Sequence, residues 1–175
     1  MTDVTIRDRR SADLDRCVEA LAAVHLADRY PLNWPADPRE WLSPPGTLHA
    51  WVAEAVGSGV VGHLAVQAPT GPGHDRDPSA RPTAEVSRLF VVPAARRQSL
   101  ASRLLRQAEE WATVQGYDLT LEVVDEENSS AVAVYERAGW RHTGTSTADW
   151  TAPNGGPVTL RHYRSPGRSG MDPAR

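Results

Sequence analysis

The order of segments along this 175-residue chain predicts an α+β fold on a mixed, mostly antiparallel sheet of about seven strands. Three observations carry that reading. Residues 83–92 and 99–115 form a strand, a tight turn and a helix, and residues 119–124 with 128–138 repeat the order. A helical crossover between two strands of one sheet makes those strands parallel. Alternating segments toward both ends of the chain, 49–55 with 60–67 and 140–145 with 158–164, read as antiparallel hairpins.

Taken in order, Val4 to Arg7 alternates as a first strand. Ser11 is placed to cap the next helix, with Asp13 in its first turn. Leu14, Cys17, Leu21 and Val24 mark its apolar face, and it ends near Arg29. Cys17 on that face reads as core packing. Residues 30–45, rich in proline and tryptophan, do not continue the helix. Trp34 and Trp41 either line a pocket or pack this loop onto the domain, and Asp37 and Glu40 are candidates for holding a cationic amine. The hairpin of 49–55 and 60–67 turns through Val56-Gly57-Ser58-Gly59. His63, inside its second strand, is either structural or catalytic. Residues 68–82 read as a surface loop without stable structure.

Leu89-Phe90-Val91-Val92 is a short apolar run with the composition of a buried strand, and Pro93 ends it because proline cannot donate to a ladder. Arg96 and Arg97 follow, then Leu100, Leu104, Ala108 and Trp111 at helical spacing, with Gly116 as the stop. A helix start has N–H groups without internal partners and partial positive charge, so this turn suits a pyrophosphate. The bland alternative is a β–turn–α unit with solvated arginines. Asn128 is a candidate N-cap for a helix whose Ala131, Val134, Tyr135 and Ala138 share a face and which Gly139 ends. A single domain of residues 1–165 and a disordered tail of 166–175 are expected.

Composition excludes several classes. Hydrophobic residues are 40% and charged residues 23%, ordinary for a soluble globular chain. A net charge of −3 and scattered arginines argue against a nucleic-acid or anionic-membrane partner. Every basic side chain among the 19 Lys and Arg is arginine, a codon-usage sign of a GC-rich bacterial genome. The lone Cys17 excludes an intrachain disulfide and offers no metal cluster. No apolar run reaches the roughly 20 residues of a membrane span. The charged N-terminus lacks a signal-peptide core, so a cytoplasmic location is expected.

Two segments together resemble a known family. The first reads Val91-x-Pro93-x-x-Arg96-x-x-Ser99-x-Ala101, against V-x-P-x-x-(R/Q)-x-x-G-x-(G/A); the second runs Asn128-x-x-Ala131-x-x-x-Tyr135-x-x-x-Gly139-Trp140. The pair, in this order, resembles the acyl-CoA motifs of the GNAT superfamily of N-acetyltransferases, and the order of elements fits from about Val4 to Arg164. The departure is Ser99, which stands in place of the first motif glycine. The resemblance implies about four helices, with the two central parallel strands splayed around the cofactor, and acetyl-CoA as co-substrate.

By the same resemblance, main-chain groups of Phe90, Val91 and Val92 pair with the pantetheine amides. The turn of Arg96, Arg97, Gln98, Ser99, Leu100, Ala101 and Ser102 holds the pyrophosphate, and Asn128 contacts the pantetheine arm. The Cβ of Ser99 stands where glycine lets a phosphate approach, so glycine there tightens binding but loosens the helix start. Tyr135 matches the family's general acid beside the thioester sulfur; its alternative is a core aromatic. Two glutamates compete as general base: Glu85, eight residues before Pro93, ranked first, and Glu122 on the next strand. Direct acyl transfer to a primary amine needs no covalent nucleophile, and the sequence shows none. The implied acceptor is a small-molecule or peptide amine, and a homodimer is compatible. The rival reading is a GNAT-fold module that binds acyl-CoA without turnover, for which Ser99 is the main support.

Overall fold

One seven-stranded sheet organises the chain, in the order β1-β2-β3-β4-β5-β7-β6. The strands are β1 (Val4–Asp8), β2 (Thr47–Ala55), β3 (Gly59–Gln67), β4 (Thr83–Val91), β5 (Asp118–Val124), β6 (Arg141–Thr151) and β7 (Pro157–Arg164). The helices are α1 (Leu14–Asp28), α2 (Pro38–Leu42), α3 (Leu100–Gln115) and α4 (Ser130–Arg137). This computed structural model describes residues 3–69, 80–127 and 129–167. Asn128, most of the expected loop at 68–82 and the expected tail beyond 167 lie outside the described residues. The final described residues are tied down at Ser165, whose N–H donates to the Leu119 carbonyl at 3.0 Å.

Every strand pairing is antiparallel except β4 with β5, as the intervening helix requires. Two apolar layers follow from the alternation of side chains. Ala84 and Val86 of β4, Leu119 and Leu121 of β5, and Leu104, Leu105 and Ala108 of α3 share one cluster with Tyr135, Trp140 and Tyr163. Val52, Val60 and Phe90 meet Cys17, Leu21 and Val24 of α1 and Leu42 of α2 in the other. The fully buried Cys17 is core packing, as its helical position predicts.

The caps differ from the sequence expectation. Ser11 does not cap α1; Ser11–Asp13 is a 3₁₀ turn, and the Asp13 carboxylate accepts the Arg10 N–H at 2.7 Å. The N-cap of α4 is Ser129, whose hydroxyl accepts from the Val132 N–H, and not Asn128. Helix α3 starts at Leu100, with Ser99 outside it as the N-cap in the left-handed region at φ 56°. The motif glycine is therefore replaced where a Cβ strains the backbone itself. Glycine at 99 relieves that strain; the expectation that it loosens the helix start fails, because position 99 is not helical.

Two stability predictions follow. Arg7 donates to both oxygens of buried Asp13 at 2.8 Å each, and to Glu54 at 2.8 Å. The Arg7 hydrogen bonds hold the Asp13 pKa down to about 2 from its ordinary 3.8. A depressed carboxylate stabilises the fold fully only above its unfolded pKa, so the contribution is lost as pH falls from near 4 through 2. Asp13→Asn should cost about 2 kcal/mol in urea unfolding at pH 7 and flatten the loss below pH 4; an unchanged acid dependence would refute the pairing. Ser99→Gly should raise stability by up to about 1 kcal/mol, while Ser99→Val should lower it.

Candidate active site

The site is built where the β4–β5 ladder stops. Thr83 to Val86 pair with Asp118 to Leu121, and no pairing continues beyond Val86 and Leu121 although both strands do. The cause lies on the other edge of β4. Ala65 and His63 of β3 oppose Ser87 and Phe90, so β4 carries an extra residue between them, and Arg88 sits there at φ 55°. A bulge of this kind bends its strand and increases the local twist.

Buried groups hold the bulge in place. The Arg88 carbonyl lies 2.8 Å from Nδ1 of fully buried His63, and His63 Nε2 lies 2.9 Å from Arg9 Nη1. Arginine has only donors, so Nε2 accepts and Nδ1 carries the proton that goes to Arg88. Burial pushes the His63 pKa down to about 3, which keeps this neutral tautomer. Arg9 also donates to the Leu42 carbonyl at 2.7 Å and to Ser43 Oγ at 2.8 Å. His63 is thus structural, one of the two alternatives its strand position left open.

At the far end of β4, Pro93–Ala95 forms a 3₁₀ turn, and Arg97 joins Ser99 in the left-handed region at φ 63°. No acceptor among the described residues takes the backbone N–H groups of residues 97–102. Arg97, Gln98 and Ser99 are exposed, Ala101 and Ser102 half-buried, and Leu100 is anchored in the core. Such a row of open donors at a helix start suits an anion. Arg96 is occupied otherwise than expected: its guanidinium pairs with Asp28 at the end of α1, and its Nε donates to the Val91 carbonyl at 3.2 Å. It braces the turn against α1. Val92 donates its N–H to Val61, and Phe90 stacks on His63 with ring centroids 5.3 Å apart.

Tyr135 is buried on α4 with its ring 6.2 Å from Trp140 and 6.1 Å from Tyr163. Leu89, Val91 and Val92 from the diverging end of β4, and Val123 from β5, pack against the same cluster. Burial first, and Tyr30 second, raise the Tyr135 pKa, so its phenol stays protonated. Tyr30 belongs to the opposite layer, beside Phe90 and Trp41. Trp140 is fixed by its indole N–H, which donates to Glu109 at 2.8 Å.

Glu85 stands opposite Gln67 and Thr120 in the ladder, half-buried and with no ion pair or side-chain hydrogen bond among the described residues. Burial raises its pKa, the Glu122 charge raises it further, and Arg88 opposes both. Glu122 is more exposed, and its Oε1 lies 3.3 Å from His162 Nδ1, while His162 Nε2 is 2.7 Å from Ser146 Oγ. Sequence reasoning missed this Ser–His–Glu row, because β5, β7 and β6 bring it together only in the sheet. It also missed Arg88. The Arg88 guanidinium lies over the Trp41 ring at 4.0 Å, and its Nε donates to the Trp41 carbonyl at 2.9 Å.

Trp41 therefore packs the loop onto the domain and onto Arg88. Trp34 is 40% exposed beside His25, and its neighbour Asn33 donates to the Thr151 carbonyl at 2.8 Å. That bond ties the 30–45 loop to β6 across the face carrying Glu85 and Glu122. Asp37 caps α2, its Oδ1 accepting the Glu40 N–H at 3.0 Å. Among the described residues no group of three or more His, Cys, Asp or Glu is placed to hold a metal ion, and no helix is long and apolar enough to cross a membrane.

The sequence matches the acetyltransferase (GNAT) family over residues 15–140, which spans both β–turn–α units. It is 35% identical to N-acetyltransferase 8 of Rattus norvegicus over 121 residues, 66% of this chain and 49% of that protein. The rat N-acetyltransferase family 8 member 2 is 33% identical over 96 residues, 54% of this chain and 39% of that protein. The chain thus spans about half the length of these relatives or less. Arabidopsis thaliana NAA60 in complex with acetyl-CoA superposes with a TM-score of 0.72 at 15% identity, covering 93% of this chain and 97% of that one. The ribosomal-protein-alanine N-acetyltransferase of Brucella melitensis gives a TM-score of 0.70 at 21% identity over 92% and 98%. Sequence match and architecture agree: the chain belongs to the GNAT family of acetyltransferases.

Proposed function

We propose that this protein transfers the acetyl group of acetyl-CoA directly to a primary amine, both substrates being bound at once. The observation that carries the reading is the opening between β4 and β5 beyond Val86 and Leu121, with the open N–H row of 97–102 near one side and Tyr135 at its wall. The co-substrate supplies an activated acetyl thioester. Residues 97–102 would hold its pyrophosphate, and the main chain of Phe90, Val91 and Val92, with Asn128, its pantetheine arm. The Val91 carbonyl already serves Arg96, so fewer β4 groups are open than the family motif implies. Ser99 fits this arrangement, because the left-handed turn is formed without glycine.

Glu85 is our choice of base. Its carboxylate is free of partners, half-buried, and biased upward in pKa by burial and by Glu122, which suits a group that must take a proton from an ammonium ion. Glu122 would act on it through charge, with His162 engaging its carboxylate. Tyr135 remains protonated and would donate to the departing sulfur. Trp41 and Trp34 would border the amine's side of the site, under the loop tied down by Asn33. The experiment that tests the whole is thiol release from acetyl-CoA across a panel of amines; no release with any amine would sink it.

Two variants check the roles. Tyr135→Phe keeps the ring and removes the hydroxyl, so kcat should fall steeply while melting temperature and acetyl-CoA affinity stay near wild type. A wild-type kcat with chemistry rate-limiting would return Tyr135 to the core. Glu85→Gln should lower kcat/KM by roughly 10²–10⁴-fold. Glu122→Gln should lower it less and move the acid limb of the pH profile downward, because a charge that raises the Glu85 pKa is gone. The reverse ranking of the two variants would transfer the base role to Glu122.

A further inference from the structure

Arg88 is a cation of the site that forms no ion pair among the described residues. Its backbone is fixed in the β4 bulge through the His63 hydrogen bond, its plane rests on Trp41, and its Nε is spent on the Trp41 carbonyl. Nη1 and Nη2 have neither a hydrogen-bond partner nor an ion pair among the described residues. Yet the side chain is half-buried, and its desolvation is strong enough to lower even an arginine pKa. A desolvated guanidinium held by its edge and face presents its remaining fork in one orientation, the geometry that matches a carboxylate. Three residues earlier on the strand stands Glu85, an anion equally without a partner.

Between and beside these two lie further unmet groups. Ser87 Oγ and Gln67 Nε2 are shut off from solvent and have no hydrogen-bond partner among the described residues. In the ladder Gln67 stands opposite Glu85, and Ser87 opposite Ala65 one step along. Buried polar atoms left unpaired are costly, and these two mark the strand face around Glu85 as polar and incompletely paired.

Building on the acetyltransferase reading above, we propose that the acceptor is an amino-carboxylate, a free amino acid or a close relative, whose ammonium faces Glu85 and whose carboxylate is held by the Nη fork of Arg88. The acid–base pair of the substrate then meets a base–acid pair of opposite order on one strand. A simple alkylamine satisfies only half of this site, and the chain of a peptide acceptor has an amide where Arg88 calls for a charge.

The test compares alanine, leucine and glutamate with their carboxamides as acceptors, using thiol release for wild type, Arg88→Met and Arg88→Lys. Wild type should prefer each free acid over its amide by about 10–100-fold in kcat/KM, the range of one or two charge-assisted hydrogen bonds. Arg88→Met should bring that ratio close to one, and Arg88→Lys should restore part of it. An amide preference in wild type, or an equal fall for acid and amide in Arg88→Met, would mean that Arg88 only braces Trp41, and would overturn the proposal. If no amine at all releases thiol, the transferase reading fails separately. Calorimetry on the protein with acetyl-CoA then decides this inference: binding of the acid and not the amide upholds it, and equal or absent binding overturns it.

Discussion

An arginine held in the left-handed region inside a strand sets the geometry of this protein. Such a backbone costs about 1–2 kcal/mol for a residue with a Cβ, so something must hold it. The holding groups are a neutral buried histidine on the carbonyl of Arg88 and a tryptophan under its guanidinium. Because β4 carries this extra residue against β3, it leaves β5 after only four paired positions. The divergence opens the sheet between its two central strands, and both apolar layers reach the opening. Remove the bulge, and β4 would run beside β5 with its N–H and C=O groups used up in the ladder.

Charge is distributed around that opening with a definite order. The open N–H row and the helix start lie beyond the C-terminal end of β4, an arrangement that suits an anion. The carboxylates of Glu85 and Glu122 lie on the face covered by the 30–45 loop, which is tied to β6 by Asn33. Tyr135 stands in the other layer, kept protonated by burial. An open helix start, a carboxylate-bearing face and a buried phenol are thus arranged on different sides of one sheet. Arg96, which the family pattern places at the phosphate turn, ties that turn to Asp28 of α1.

Much of the fold was legible because its signals are local. The alternation of Val4 to Arg7, the apolar run before Pro93, the period-3.6 stripe from Leu100 to Trp111 and the glycine stops at 116 and 139 each state their own element. Their order alone required β4 and β5 to be parallel. The two motif segments fall on the turn that leads into α3 and on α4, which carries Tyr135. Where the local reading slipped, at the caps of α1 and α4 and at Ser99, neighbouring residues of similar capping strength competed, and only backbone geometry chose between them.

The sequence by itself therefore determined the kinds of elements, their order, the parallel pair and the position of the turn before α3, because each depends on side chains a few positions apart. Tertiary structure alone decided the bulge and everything it gathers. His63 meets Arg88 across 25 positions and Arg9 across 54; Arg88 reaches Trp41 across 47; Asn33 reaches Thr151 across 118. A hydrogen bond between such partners leaves no periodicity in the chain, since neither residue changes the local pattern in which it sits. Arg88 reads as one more polar position in a strand until the fold half-buries it on Trp41 with no ion pair among the described residues.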